Sequence, residues 1–364
     1  MGIIPEDWEV VRLGDIFEIK VGKDLDEKNY SPIKTDEHIY PIYSNTVENR
    51  GLYGYSKTKE YQGNSLTVVG RGIGLGTAFS RHHKFCAIGR LLVLQPKKKS
   101  NVDFISEYIN FKMKIFDESS GIPQLTGVSF STYLALNPPL KEQEKIAEIL
   151  TTWDETITKQ TELLRAKELQ KKGLMQKLLS GEVRFSGFSD EWEEVRLGEI
   201  AEIYQPQTIS QTELTDEGFD VYGANGIIGK YYQYNHELEQ IAVTCRGNTC
   251  GTVNFTKPKS WITGNAMVIN LDNSTKAIKT FIYYLFLNTN FTYLISGSGQ
   301  PQITGNIKNH KLKLPSLSEQ QKIAEVLSLA DDEINLLKNE LDELKLQKKA
   351  LMQKLLTGQV RVKV

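Results

Sequence analysis

The chain has 364 residues, 40% of them hydrophobic and 24% charged, with a formal net charge of −1 at pH 7. That is enough apolar material for two or three packed domains, and bulk charge alone gives no sign of a polyanionic partner. The opening MGIIPEDWEV lacks the basic and apolar regions of a secretory leader, and the most apolar stretch, 281–287, is far too short to span a bilayer. Three cysteines (Cys86, Cys245, Cys250) make no disulfide framework, so a reducing cytoplasm is the expected setting.

The first body, 1–139, opens at Trp8 with WEVVRLGDI and reads as mixed α/β. Apolar runs at 65–69 and 91–94 have strand character, glycine-rich turns separate them, and 102–116 has helical spacing. Charge is uneven inside it: residues 1–49 carry five Lys/Arg and eleven Asp/Glu, whereas 50–99 carry ten Lys/Arg and one acid, Glu60. A near-neutral chain can therefore hold a basic face. A helical segment, 140–185, follows Pro138 and Pro139 and is stopped by Gly181, where a left-handed residue commonly ends a helix. The second body, 186–316, opens at Trp192 with WEEVRLGEI, shows a strand at 266–269 and a helix at 277–287, and repeats the charge pattern: ten acids and one base, Arg196, over 186–224, then nine bases and three acids over 225–316. A second helical segment, 317–364, follows Pro315 and is stopped by Gly358. Ser318 and Gln321 are spaced there as a capping box, in which hydroxyl and amide satisfy free backbone N–H groups, whereas the first copy has Lys141 in place of the serine.

The halves are copies. EQEKIAEIL (142–150) matches EQQKIAEVL (319–327), and LMQKLLSGEVRF (174–185) matches LMQKLLTGQVRV (351–362), both at an offset of 177, while the Trp starts match at 184. Equal helices thus follow bodies that differ by seven residues. Within the bodies Arg71-Gly72 matches Arg246-Gly247, and GIPQLTG (121–127) matches GQPQITG (299–305). Along the helices, steps of four and three give a seam of Ile146, Leu150, Trp153, Ile157, Gln160, Leu164, Lys167, Lys171, Leu174 and Leu178. Its copy is Ile323, Leu327, Ala330, Ile334, Leu337, Leu341, Leu344, Lys348, Leu351 and Leu355. Such a seam predicts that the two helices pair as a coiled coil, antiparallel, with a pseudo-twofold internal repeat. Each would be roughly 57 Å long at 1.5 Å per residue, a rod that acts as a ruler between two binding surfaces. Gln160, Lys167 and Lys171 either specify register or reach harmlessly to solvent.

The order Trp8…VRLG, EQxKIAE and LMQKLLxG, repeated once, resembles the specificity (S) subunit of type I restriction–modification systems over nearly the whole chain. The resemblance implies two globular target recognition domains and two helical spacers. It implies a chain without catalysis of its own that reads a split duplex DNA target, asymmetric because the bodies differ. It also implies docking of two methyltransferase (M) subunits, which bring S-adenosylmethionine, and through them restriction (R) subunits, which bring ATP and Mg.

For such a reader, phosphate contacts are expected from Lys57, Lys59, Arg81, Lys84, Lys97, Lys98, Lys99, Lys257 and Lys259. Base contacts are expected from Asn45, Arg71, Gln124 and Thr126 in the first body and from Asn225, Arg246, Gln302 and Thr304 in the second, since these side chains match base edges when presented on turns. Features shared by both bodies can equally be scaffold, because the two read different sequences. No catalytic or metal constellation stands out. NPPL (137–140) lacks the aromatic that an adenine methyltransferase would stack on its base, GRGIGLG (70–76) fits no phosphate-loop pattern, and Cys245 and Cys250 have no matching Cys or His partners. Two other readings remain: the specificity chain of a type IIB-like system, and a non-enzymatic coiled-coil adaptor whose modules bind proteins.

Overall fold

The computed structural model describes residues 4–116, 122–224, 226–297 and 301–364. Asn225, Gly121 and Gly299 of the matched segments lie outside them. The chain divides into two compact units, one formed by 1–161 with 340–364, the other by 162–339. These divisions fall inside the long helices, whereas the sequence suggested borders at 139/140, 185/186 and 316/317. Each unit keeps the parts of both helices that pack with its own body.

In the first unit an antiparallel sheet orders Phe17–Val21, Leu92–Pro96, Ser65–Val68 and Ala78–Arg81. Its strands show little polar alternation because both faces are covered. Leu66, Val68, Leu92 and Leu94 pack with Phe104, Ile105 and Ile109 of the helix Val102–Lys112, which stops short of the expected 116. Leu91 and Val93 face the other way, toward Tyr43, Tyr61 and Phe85 of a second sheet built from Tyr30–Ser31, Leu52–Ser56, Tyr40–Tyr43 and the parallel pair Cys86–Ala87. A two-stranded ribbon, Glu9–Arg12 with Leu134–Asn137, leads into the first long helix, Leu140–Leu179.

The second unit repeats these layers. Its sheet orders Glu202–Tyr204, Ala266–Asn270, Ile241–Thr244 and Val253–Phe255, with Ile241, Val243, Met267 and Ile269 against Phe281 and Ile282 of the helix Lys279–Leu287. Ala242 and Val268 face Tyr222 and Ile262 of the second sheet, which here has three strands: Gly226–Tyr231, Phe219–Gly223 and Trp261–Ile262. The ribbon Glu193–Arg196 with Lys311–Leu314 leads into the second long helix, Leu317–Leu355.

The repeated EQ motif has a physical basis. Gln143 accepts from the Asn101 N–H (2.9 Å) and donates to the Pro138 carbonyl (2.8 Å); Gln320 accepts from the Ile278 N–H (2.8 Å) and donates to the Pro315 carbonyl (2.9 Å). Each buried amide thus ties the start of a long helix to the start of its body's short helix. Each preceding glutamate is also buried. Glu142 takes Trp8 Nε1 (3.0 Å) and two Arg361 nitrogens (2.7 Å each); Glu319 takes Arg184 Nε (2.9 Å) and Nη2 (2.7 Å). The expected capping box does not form. The helix already begins at Leu317, Ser316 Oγ accepts the Glu319 N–H (3.4 Å), and Gln321 reaches Glu325 instead (3.3 Å). The glycine stops do form, with φ of 73° at Gly181 and 71° at Gly358, and a Cβ at either would meet the ring of Trp192 or Trp8 at 3.4 Å.

Within each unit the long-helix segments run antiparallel. In the first, Gln160 reaches Glu340 (2.9 Å) and Asp154 reaches Lys348 (2.6 Å), as Leu150 packs with Leu355. In the second, Lys167 pairs with Glu333 (2.6 Å), Lys171 with Asp331, and Glu168 with Lys338 (3.0 Å). Seam residues Ile146, Leu150, Leu178, Ile323, Leu327, Ile334, Leu341 and Leu355 are buried. Trp153, Ile157, Leu164, Leu174, Leu337, Leu344 and Leu351 are half-buried. The polar seam residues all carry partners on the facing helix, so they act as register marks.

Candidate nucleic-acid interface

One turn recurs in both bodies with the same wiring. In the first, the Gly72 N–H reaches the Pro123 carbonyl (2.8 Å) and the Leu125 N–H the Gly70 carbonyl (2.8 Å), so Arg71 and Gln124 face each other across a short antiparallel bridge. In the second, the Gly247 N–H reaches Pro301 (3.0 Å), the Ile303 N–H reaches Cys245 (3.0 Å), and Arg246 faces Gln302. The residue after each arginine is glycine because φ there is 81° and 86°, a region costly for any side chain. Arg71 is half-buried and Arg246 exposed, and neither guanidinium hydrogen-bonds or ion-pairs with a described residue. Cationic planar donors held on a rigid bridge and left unspent suit an acceptor-rich partner such as nucleic acid.

The other expected residues divide into frame and surface. Asn45 is frame: Nδ2 donates to the Arg71 carbonyl (2.5 Å) and Oδ1 accepts the Gly70 N–H (2.7 Å), so it braces the arginine turn and its amide is not offered to a base. Arg81 is corrected as a phosphate contact. It is buried, donating Nε to Thr67 (2.9 Å) and Nη2 to the Arg50 carbonyl (2.5 Å), with its guanidinium 3.5 Å from the Tyr43 ring centre. Burial lowers it to about 10, which still leaves it cationic at neutral pH. Thr126 and Thr304 cap short helical turns, accepting from Ser129 N (3.1 Å) and Asn306 N (3.5 Å). Gln124 is half-buried and Gln302 exposed.

The lysines behave differently in the two bodies. Lys59 and Lys84 are exposed side by side, and the Lys84 ammonium holds Lys59 below the usual lysine range, a repulsion that a phosphate between them would relieve. Lys57 pairs with Glu37 (2.5 Å). In the second body Lys257 and Lys230 share Asp220 (2.8 and 2.9 Å), whose carboxyl the Lys257 hydrogen bond lowers most, and Lys259 leans on Glu237 (3.7 Å). Beside the first body's lysines a cavity of about 670 Å³ opens among Tyr40, Tyr43, Tyr55, His83 and Lys84.

Sequence reading missed Lys308. It lines a notch of about 310 Å³ with Tyr204, Gln205, Arg246, Gln302 and Thr304. Alignment of the repeats conceals it, because the turn after Gly305 is one residue tighter than the turn after Gly127. The Leu13 N–H reaches the Tyr133 carbonyl and the Leu197 N–H the His310 carbonyl (2.9 Å each), which makes Lys308 the counterpart in its body of Ser131 in the first. Among the described residues no group of three or more His, Cys, Asp or Glu is placed to hold a metal, and no helix is long and apolar enough to cross a membrane.

Fold and turns together define a duplicated reader whose two bodies share one frame. A family model described as the type I restriction modification DNA specificity domain matches residues 5–166 and again 189–346, once per repeat. The chain belongs to that family. It is 26% identical to the type I restriction enzyme MjaVIII specificity subunit of Methanocaldococcus jannaschii over 99% of this chain and 94% of that protein. It is 29% identical to the putative MjaX specificity subunit of the same organism over 100% and 96%. In fold it is similar to the type I restriction–modification S subunit of M. genitalium, with a TM-score of 0.71 at 18% identity over 97% of this chain and 96% of that one. A chain from a structure on complex assembly and conformational transition of the type I R-M system gives 0.56 at 16% identity, covering 99% and 100%.

Proposed function

We propose that this chain is the DNA-reading specificity subunit of a type I restriction–modification complex, each body reading one half of a split, asymmetric duplex target. The observation that carries the reading is the duplicated arginine turn: one frame, one unspent guanidinium in each, set in bodies whose remaining surfaces differ. Two copies of a reader with unlike surfaces suit two unlike half-sites. The long helices would fix the number of base pairs between them, as half-site spacing is fixed in dimeric DNA binders, and would dock two methyltransferase subunits and, through them, restriction subunits. S-adenosylmethionine would then belong to the methyltransferase and ATP with Mg to the restriction subunit. The chemistry would be theirs, carried out in the cytoplasm, and this chain would supply address and spacing.

The test is genome-wide mapping of methylated adenines in cells with and without this chain, its methyltransferase partner being present in both. One split motif should vanish with the chain. Identical methylation in both strains would refute the reading.

A further inference from the structure

We propose that Lys308 is a specificity-determining residue of the second body, forming with Arg246 and Gln302 a donor-rich notch that takes the acceptor-rich edge of a guanine, O6 and N7, in the half-site this body reads. The inference rests on the reading of the chain as a DNA-specificity subunit and names the base chemistry of one of its sites.

Equivalence of position comes first. Gly14 packs its α-carbon face on Ser131, a Cβ there meeting Ser131 Cβ at 2.9 Å and its carbonyl at 3.1 Å; Gly198 packs in the same way on Lys308, at 3.1 and 3.3 Å. Backbone and Cβ of the two residues are therefore held alike. Their side-chain ends are not. Ser131 Oγ turns back onto the Val128 carbonyl (2.6 Å) and is spent. Lys308 is exposed and its ammonium bonds no described residue.

The surroundings fix the ligand chemistry. The notch holds two cations, Arg246 and Lys308, and the exposed Gln302 amide, with no carboxylate among its lining residues. Thr304 Oγ1 accepts the Asn306 N–H (3.5 Å) and keeps its own hydrogen to donate, and Gln205 Nε2 gives one of its two hydrogens to Cys245 Sγ (3.1 Å). A surface of N–H donors calls for clustered acceptors, which a guanine presents in the major groove and which arginine and lysine match best among side chains. Phosphate oxygens share that acceptor chemistry. A phosphate, however, is the same in every sequence and gives no reason for two congruent frames to differ at this position, whereas a base does.

The experiment uses the full chain in complex with its methyltransferase subunit, and duplexes carrying the mapped target in which each guanine in turn is replaced by 7-deazaguanine, which lacks the N7 acceptor. The parent complex should lose about tenfold in affinity at one guanine of one half-site. Lys308→Ser, which copies the first body, should bind the unmodified duplex about tenfold more weakly, be indifferent to that replacement, and keep its response to guanines of the other half-site; Lys308→Arg should restore the discrimination. Retention of the parent pattern by Lys308→Ser overturns the assignment. So does a uniform loss on all duplexes with a shallower salt dependence, the mark of a phosphate contact. A half-site without guanine also overturns it, and a parent complex with no split target overturns the functional reading along with it.

Discussion

The two bodies agree where the backbone turns and disagree where charge is displayed. The turns at Arg71 and Arg246 are wired by the same pairs of backbone bonds, within 0.2 Å. Elsewhere the first body leaves Lys59 and Lys84 exposed, Lys84 beside an open cavity, while the second spends Lys230 and Lys257 on Asp220 and packs Tyr231 against Trp261 at 5.0 Å between ring centres. A duplicated reader can thus keep its frame fixed and diverge in side chains and loops, leaving the shared turns intact.

Five experiments would break or sharpen that contrast. The largest effect is expected from inserting one heptad into both long helices, at 161/162 and 339/340. If the helices set spacing, the inserted chain either shifts the gap between half-sites or loses activity on the parent target; a folded, active variant with an unchanged gap would sink the ruler. Next come the buried glutamates that close each unit. Glu142→Ala strands Trp8 Nε1, while the partly exposed Arg361 keeps its pair with Asp7 (2.7 Å), and should destabilise its unit by about 1–3 kcal/mol. Glu319→Ala removes the acceptor of one arginine, which keeps the Asp190 carbonyl, and strands no indole because Trp192 Nε1 already lacks a hydrogen-bond partner, so it should cost less. Equal losses in differential scanning calorimetry would contradict the asymmetry. The pH dependence has a definite sign. Burial pushes Glu142 up, but hydrogen bonds from Arg361 and Trp8 outweigh it and hold the carboxyl below its usual 4.5. Its stabilisation is therefore present above that pH and lost as pH falls through the depressed value, so Glu142→Gln should flatten the acid limb of a melting profile below pH 4.5.

A smaller effect, about tenfold, is expected of Arg71→Ala, and on one half-site only. Competition with duplexes mismatched in either half measures it, and a variant that discriminates first half-sites as the parent does would remove Arg71 from recognition. The smallest effects belong to the lysines. Lys59→Ala and Lys84→Ala should each lower the salt slope of binding by about one, without changing sequence preference. Lys257→Ala should lower it less, because Asp220 competes with the phosphate.

Periodic features were legible in the sequence. The seam, the glycine stops and the pairing of the halves follow from spacings that a helix or a duplication must show. What burial decides was not. Arg81 counts as one more cation in a basic window, and only the structure places it under Tyr43. Asn45 has the chemistry of a base reader, but its reach to both sides of the Arg71 peptide makes it a brace. The EQ pairs were visible as repetition, yet nothing in the letters says that both side chains are buried and reach across to other elements. Lys308 was hidden because one helical turn is a residue tighter than its copy, a slip that disappears into the seven-residue difference between the bodies.

The first unit is discontinuous in the chain, needing 340–364 to complete it, whereas the second is the single stretch 162–339. On a ribosome, which releases the chain from its N-terminus onward, the half made first is therefore finished last. Leu150 waits for Leu355, and Glu142 for Arg361, until residues 340–364 have been made. A stop codon beyond 339 spares every residue of the later-made unit and strips the earlier one. Loss of residues 340–364 should accordingly appear as loss of the half-site read by the first body.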